Sequence, residues 1–95
     1  MQQYFKVTNL KETHHNFKYV DGLNVDTNPF VNNYGLHFTT LEHIHQFYEY
    51  GCFLREVYLP TYNPEFKMIQ NNNIFKANMI VLGEKYSLYD KNISI

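Results

Sequence analysis

The chain of 95 residues has no tryptophan, one cysteine, one arginine, one alanine, three prolines and four glycines. With Cys52 alone, no disulfide can form within the chain, which fits a reducing compartment. No run of apolar residues approaches the roughly 20 needed to span a bilayer, so no membrane partner is expected. The opening MQQYFKVTNL lacks the long apolar core of a signal peptide. Neither sign of charge dominates: Lys and Arg number 8, Asp and Glu 9, for a net charge of −1 and a pI near 6.5. Without a basic stripe to follow phosphates, nucleic acid is not an expected partner. No CxxC or HExxH spacing is present, and no internal repeat.

What is abundant is aromatic: nine tyrosines and eight phenylalanines. That is more than one small core hides, and a contiguous exposed apolar patch marks a partner interface. The length suits one domain, residues 1–95, with residues 84–95 expected as a loosely packed tail.

The chain is organised around Tyr34–Pro60, which reads strand, helix, strand. Thr39 and Glu42 have the spacing of a capping box. Leu41, Ile44, Phe47 and Tyr48 form one apolar stripe, and Gly51 stands where a left-handed residue would end the helix, giving a helix over about 40–50. Residues 35–39 and 53–59 read as the flanking strands of one sheet, the second stopped by Pro60. Tyr4–Thr8 and Phe17–Val20 read as a hairpin, and residues 23–33 as a loop. Phe66–Gln70 and Ile74–Ala77 form a second hairpin around Asn71–Asn73, and Asn78–Leu82 a strand buried on both faces and ended by Gly83. The expected fold class is α+β: an antiparallel-rich sheet of five or six short strands with one main helix packed on one face. Tyr4–Thr8 and Phe66–Gln70 are the candidate sheet edges, each guarded by a single lysine.

No catalytic, cofactor-binding or metal-binding residues stand out. His43 and His45, two apart on a helix, point in nearly opposite directions and cannot share an ion. His37 and Cys52 lack a zinc spacing, and His14 and His15 read as loop residues. Cys52 follows a helix C-terminus, whose negative end disfavours a thiolate. Arg55 reads as a structural guanidinium facing a carboxylate such as Glu42 or Asp21. Thr39, Glu42, Gly51 and Arg55 are thus candidate structural residues. Tyr48, Tyr50 and Tyr58 are candidate interaction residues in a homodimer built from an edge strand and the helix face.

Three patches in order resemble a known domain. They are Tyr34-Gly35-Leu36-His37-Phe38-Thr39-Thr40, Leu54-Arg55-Glu56-Val57-Tyr58-Leu59-Pro60, and Phe75 through Lys85. With Phe5–Asn9 and Tyr19–Asn24, they resemble the N-terminal domain of ankyrin-repeat proteins in giant DNA viruses of the mimivirus type. Ankyrin repeats would follow the last patch, whereas this chain stops at Ile95, as a stand-alone copy or a truncated piece would. The resemblance carries over no catalytic residue. It implies a viral protein of the infected host cytoplasm or the virion, with a non-enzymatic, adaptor-like role toward a viral or host protein. The alternative reading starts from residues 35–39, which are similar to the helix-opening strand of small ADP-ribosyltransferase-like enzymes. Glu56, Glu65 and Glu84 are the available acids for such chemistry.

Overall fold

The computed structural model describes residues 2–30 and 34–89. Nine strands are present among the described residues: β1 Tyr4–Thr8, β2 Thr13–His14, β3 Phe17–Lys18, β4 Gly22–Val25, β5 Leu36–Thr40, β6 Phe53–Tyr58, β7 Met68–Asn71, β8 Ile74–Ala77 and β9 Met79–Ser87. Seven of them form one antiparallel sheet in the order β4-β9-β6-β1-β5-β8-β7, and β2 and β3 form a separate ribbon. The helical content is one short segment, Leu41–Tyr50. The α+β expectation of five or six strands under one main helix is therefore corrected: the fold is dominated by antiparallel sheet.

The helix itself differs in kind. Leu41–Tyr50 is a 3₁₀ helix, with three residues per turn. The spacing agrees with this better than with an α-helix, because Leu41, Ile44, Phe47 and Tyr50 recur strictly every third residue. Ile44 is buried against Phe5 and Leu54, with Leu41 and Phe47 beside it. The capping box is not formed. The residue before the helix is Thr40, in extended conformation and without a side-chain cap bond. Thr39 is held in β5, where its hydroxyl donates to the Asn73 carbonyl across the sheet. Gly51 is also extended, at φ −175°, so it ends the helix without a left-handed turn.

Alternation along β1 gives the sheet its two faces. On the first, Tyr4 packs with Leu36, Phe38, Val57, Phe75, Ile80 and Leu82, and Tyr19 and Phe17 of the ribbon segment cover them. Rings of Tyr4, Phe38 and Phe75 meet at 5.3–5.5 Å. On the second, Phe5 and Val7 meet the 3₁₀ helix together with Tyr86 and Leu88. The aromatics divide by chemistry: no phenylalanine is exposed, whereas six tyrosines are.

Three strand assignments change. Tyr4–Thr8 is no edge; it is the fourth of seven strands, and its partners are β5 and β6 rather than Phe17–Val20. The ribbon β2–β3 turns through His15 and Asn16, both at positive φ (50° and 68°), the requirement of a tight two-residue hairpin. Residues 23–25 of the expected loop, with Gly22 before them, form the edge strand β4. Its pattern is inverted: Leu23 and Val25 are exposed, while Asn24 is buried and exchanges hydrogen bonds with the Val20 backbone at 2.8 Å. Gly83 does not end β9, which continues to Ser87. Gly83 and Glu84 together stand opposite Glu56 in a bulge, and the Gly83 backbone lies under the Tyr58 ring. The hairpin of residues 68–77 turns through Asn72 at φ 57°. Val31, Asn32, Asn33 and residues 90–95, which are half of the expected tail, lie outside the described residues.

Gly51 is required by a close approach. A Cβ there would stand 2.1 Å from the Thr8 carbonyl oxygen, where Cys52 N–H donates to that same oxygen at 3.0 Å. Gly51→Ala therefore has to push β1 away from the helix end and should destabilise the fold by about 1–3 kcal/mol, measurable by urea unfolding. A loss under about 0.5 kcal/mol, the scale of a neutral surface change, would show that β1 and Gly51 do not touch.

Candidate functional site

Cations line up across the first face. Lys6 of β1 stands opposite Arg55 of β6, and Arg55 opposite Lys85 of β9. Like charges in direct register repel, so the arrangement needs acids. Two come from the segment that covers this face. Arg55 is 1% exposed, and its Nη2 donates to Asp21 Oδ1 at 2.5 Å. Its Nε lies 3.6 Å from Glu12 Oε2, an oxygen that also accepts from the Thr8 hydroxyl at 2.9 Å. The other Glu12 oxygen meets Lys85 Nζ at 3.3 Å. The guanidinium hydrogen bond and charge hold the Asp21 carboxyl below its ordinary range.

Lys6 is left over. It is 7% exposed, its ammonium sits 4.6 Å from the Tyr19 ring centroid, and it makes no hydrogen bond or ion pair with any described residue. Burial pushes its pKa down to about 8. It lines a cavity of about 430 Å³ that opens where β1 and β5 part: β1 pairs with β6 along five residues but with β5 only at Tyr4 and Phe5. The lining also carries three histidines, beside the neutral polar groups of Thr8, Asn9, Thr13, Tyr19 and Thr39. His14 and His15 stack with centroids 4.1 Å apart, and His37 meets His14 edge-on at 6.4 Å. Burial, followed by the charge of Lys6, pushes His37 down to about 4, and its Nδ1 is buried without a partner. The same two causes lower His14. Burial raises the Tyr19 hydroxyl. No Asp or Glu lines the cavity, while Val7, Phe38, Ile44 and Phe47 supply apolar walls.

The residues singled out in the sequence are spread over the molecule. Arg55 contacts Asp21, and Glu12 in addition; Glu42 is exposed beside His43. Tyr50 lines the cavity rim and packs near Phe47, and Tyr48 is exposed on the same helix. Tyr58 lies on β6, and no ring contact among the described residues joins it to either of them. Its hydroxyl and that of Tyr86 both donate to Glu56, at 2.8 and 2.7 Å. Neither Glu56, Glu65 nor Glu84 lines the cavity. Cys52 is a partly buried free thiol. Among the described residues no three His, Cys, Asp or Glu are grouped to hold a metal ion, and no helix is long and apolar enough to cross a membrane. The cavity residues carried one signal in the sequence, a lysine alternating into the buried side of an otherwise apolar strand.

A sheet of seven antiparallel strands with a covered, cation-bearing face defines a small β domain. The chain is 50% identical over 97 residues to the provisionally assigned ankyrin repeat protein R868 of Acanthamoeba polyphaga mimivirus, covering 93% of this chain and 48% of that one. It is 45% identical to the uncharacterized protein R869 of the same virus, over 95% of this chain and 71% of the relative. Identity to the provisionally assigned ankyrin repeat protein L797 is 44%, over 92% and 20% of the two chains. The chain thus spans about half or less of the ankyrin-named relatives. It belongs to this family, the domain found at the N-terminus of mimivirus ankyrin-repeat proteins. No protein-family profile matches it, and no solved structure does.

Two substitutions test the charges. Unfolded lysine keeps its proton to about 10.5 and folded Lys6 to about 8, so between those values the unfolded state binds more protons and stability rises with pH. At pH 7 the buried ammonium therefore costs about 3 kcal/mol, offset in part by about 1 kcal/mol from the tyrosine ring. Lys6→Met should stabilise the protein at pH 7 by about 1–2 kcal/mol, with the gain gone near pH 11. Destabilisation at pH 7 would mean that the ammonium has an acid partner. Arg55→Met should instead lose about 3 kcal/mol or more, because Glu12, largely buried, keeps the Thr8 hydroxyl but only the half-exposed Lys85 as a cation. An Arg55→Met melt within error of wild type would remove the ion cluster from the account of stability.

Proposed function

We propose that this domain is a non-enzymatic protein-interaction module that pairs with a second copy of itself. The supporting observation is an apolar row on the second face at the β4 edge. Leu23 stands opposite Val81, and Val81 opposite Tyr58, so the three share one face across three strands. Leu23 is 49% and Tyr58 57% exposed, and Val25, also exposed, extends the row. The edge strand Gly22-Leu23-Asn24-Val25 carries no charge and no proline, the usual guards of a free edge. Antiparallel pairing of β4 with β4 of a second copy would satisfy both edges and join the two apolar rows. The family supports the reading as well, since the segment recurs in proteins named for ankyrin repeats while spanning a minor part of them. In that setting the module would join copies, or carry a viral or host protein, in the cytoplasm of the infected cell or in the virion.

Light scattering on the purified chain tests this. The expected mass is twice 11.5 kDa at micromolar concentration. Leu23→Lys should return the mass to that of a single chain with the far-UV circular dichroism unchanged. A wild-type monomer, or a dimer indifferent to Leu23→Lys and Val25→Lys, rejects pairing through β4. A true interface should bury about 1,000 Å² or more in total.

A further inference from the structure

The cavity between β1 and β5 has an electrostatic imbalance that the fold does not resolve. Its acids are spent elsewhere: Glu12 and Asp21 face Arg55 and Lys85. Lys6, more than nine-tenths buried, lines the cavity with no anionic partner among the described residues. Its neighbours make matters worse, because the titratable groups facing it are His14 and His15 from the ribbon, Tyr19 beside the ribbon and His37 from β5, with Lys76 of β8 acting on His37. None of these carries negative charge near pH 7. His37 Nδ1 adds a second unmet polar atom in the same space. A buried charge with no partner is unfavourable in a low-dielectric site, and an anion entering from solvent removes that penalty.

We propose that the cavity binds a monoanionic amphiphile, its carboxylate on Lys6 and its apolar chain against Phe38, Ile44 and Phe47. A single charge follows from Lys6 being the one lysine or arginine of the lining, with His37 held neutral by burial. An apolar body follows from the walls, and the volume of about 430 Å³ falls within the usual range for small-ligand sites. A ligand bound here would also span the gap between β1 and β5, and so stiffen the sheet where its ladder is shortest.

Decanoate, below its micelle concentration, is the probe, with decanol as its neutral counterpart and acetate as the charge without a tail. Isothermal titration at pH 7 should show saturable 1:1 binding of decanoate, with decanol and acetate each weaker by on the order of tenfold or more. Lys6→Met, which the stability argument leaves folded, should weaken decanoate by on the order of 30-fold. Lys6→Arg should keep most of it. Affinity should fall as the pH rises from 7 to 9, since Lys6 loses its proton there, and Lys6→Arg should not show that fall. Leu23→Lys should bind decanoate like wild type, which separates this site from the pairing surface. No saturable binding to the wild type overturns the proposal; so does equal binding by Lys6→Met, or by decanol.

Discussion

The contact on which the first face depends is the buried guanidinium of Arg55. The segment of residues 9–21 has little apolar surface of its own beyond Phe17 and Tyr19, and its ribbon is two residues per strand. Glu12 and Asp21 lie on either side of that ribbon in the chain, and both reach Arg55. A single side chain therefore ties the cover down at two points. Five donors in a fixed plane make this possible, and a lysine at that position would not reach both acids in the same way. The positive φ of Glu12, 53°, is part of the arrangement, since it turns the chain so that its carboxylate points back to β1 and β9.

The same arrangement explains why Lys6 stands alone. Three cations in register across β1, β6 and β9 share two carboxylates, and geometry gives both to Arg55 and Lys85. Proteins avoid this when stability is the only demand. Its presence beside the cavity between β1 and β5 is the local compromise on which the proposed anion site rests.

Much of the sheet was legible in the sequence. The strands at 4–8, 36–40, 53–58 and 74–82 are rich in β-branched and aromatic residues, and the Asn72 turn and the helix span were visible too. So was a carboxylate partner for Arg55, with Asp21 one of the two candidates. The misses have particular causes. β4 buries its asparagine and exposes its leucine and valine, so alternation points the wrong way. Gly83 looks like a stop but is a bulge accommodated under Tyr58. Thr39, Glu42 and Gly51 mimic the caps of an α-helix, although the repeat of Leu41, Ile44, Phe47 and Tyr50 at every third residue favours the tighter helix. Glu12 and the cavity were invisible because they arise from contacts between β1, β5 and the ribbon that no local pattern encodes.

The short pairing of β1 with β5 has a mechanical meaning. Backbone pairing joins β5, β8 and β7 to the other four strands at two residue pairs, and the rest of the join is side-chain packing: Tyr4 with Phe38 and Phe75, and Leu36 and Ala77 in one core with Val57, Ile80 and Leu82. The sheet is in effect a four-strand plate and a three-strand plate with a short backbone ladder between them. A molecule held in the gap beside that ladder would therefore touch both plates at once, through Lys6 and Val7 on one side and Phe38 and Ile74 on the other.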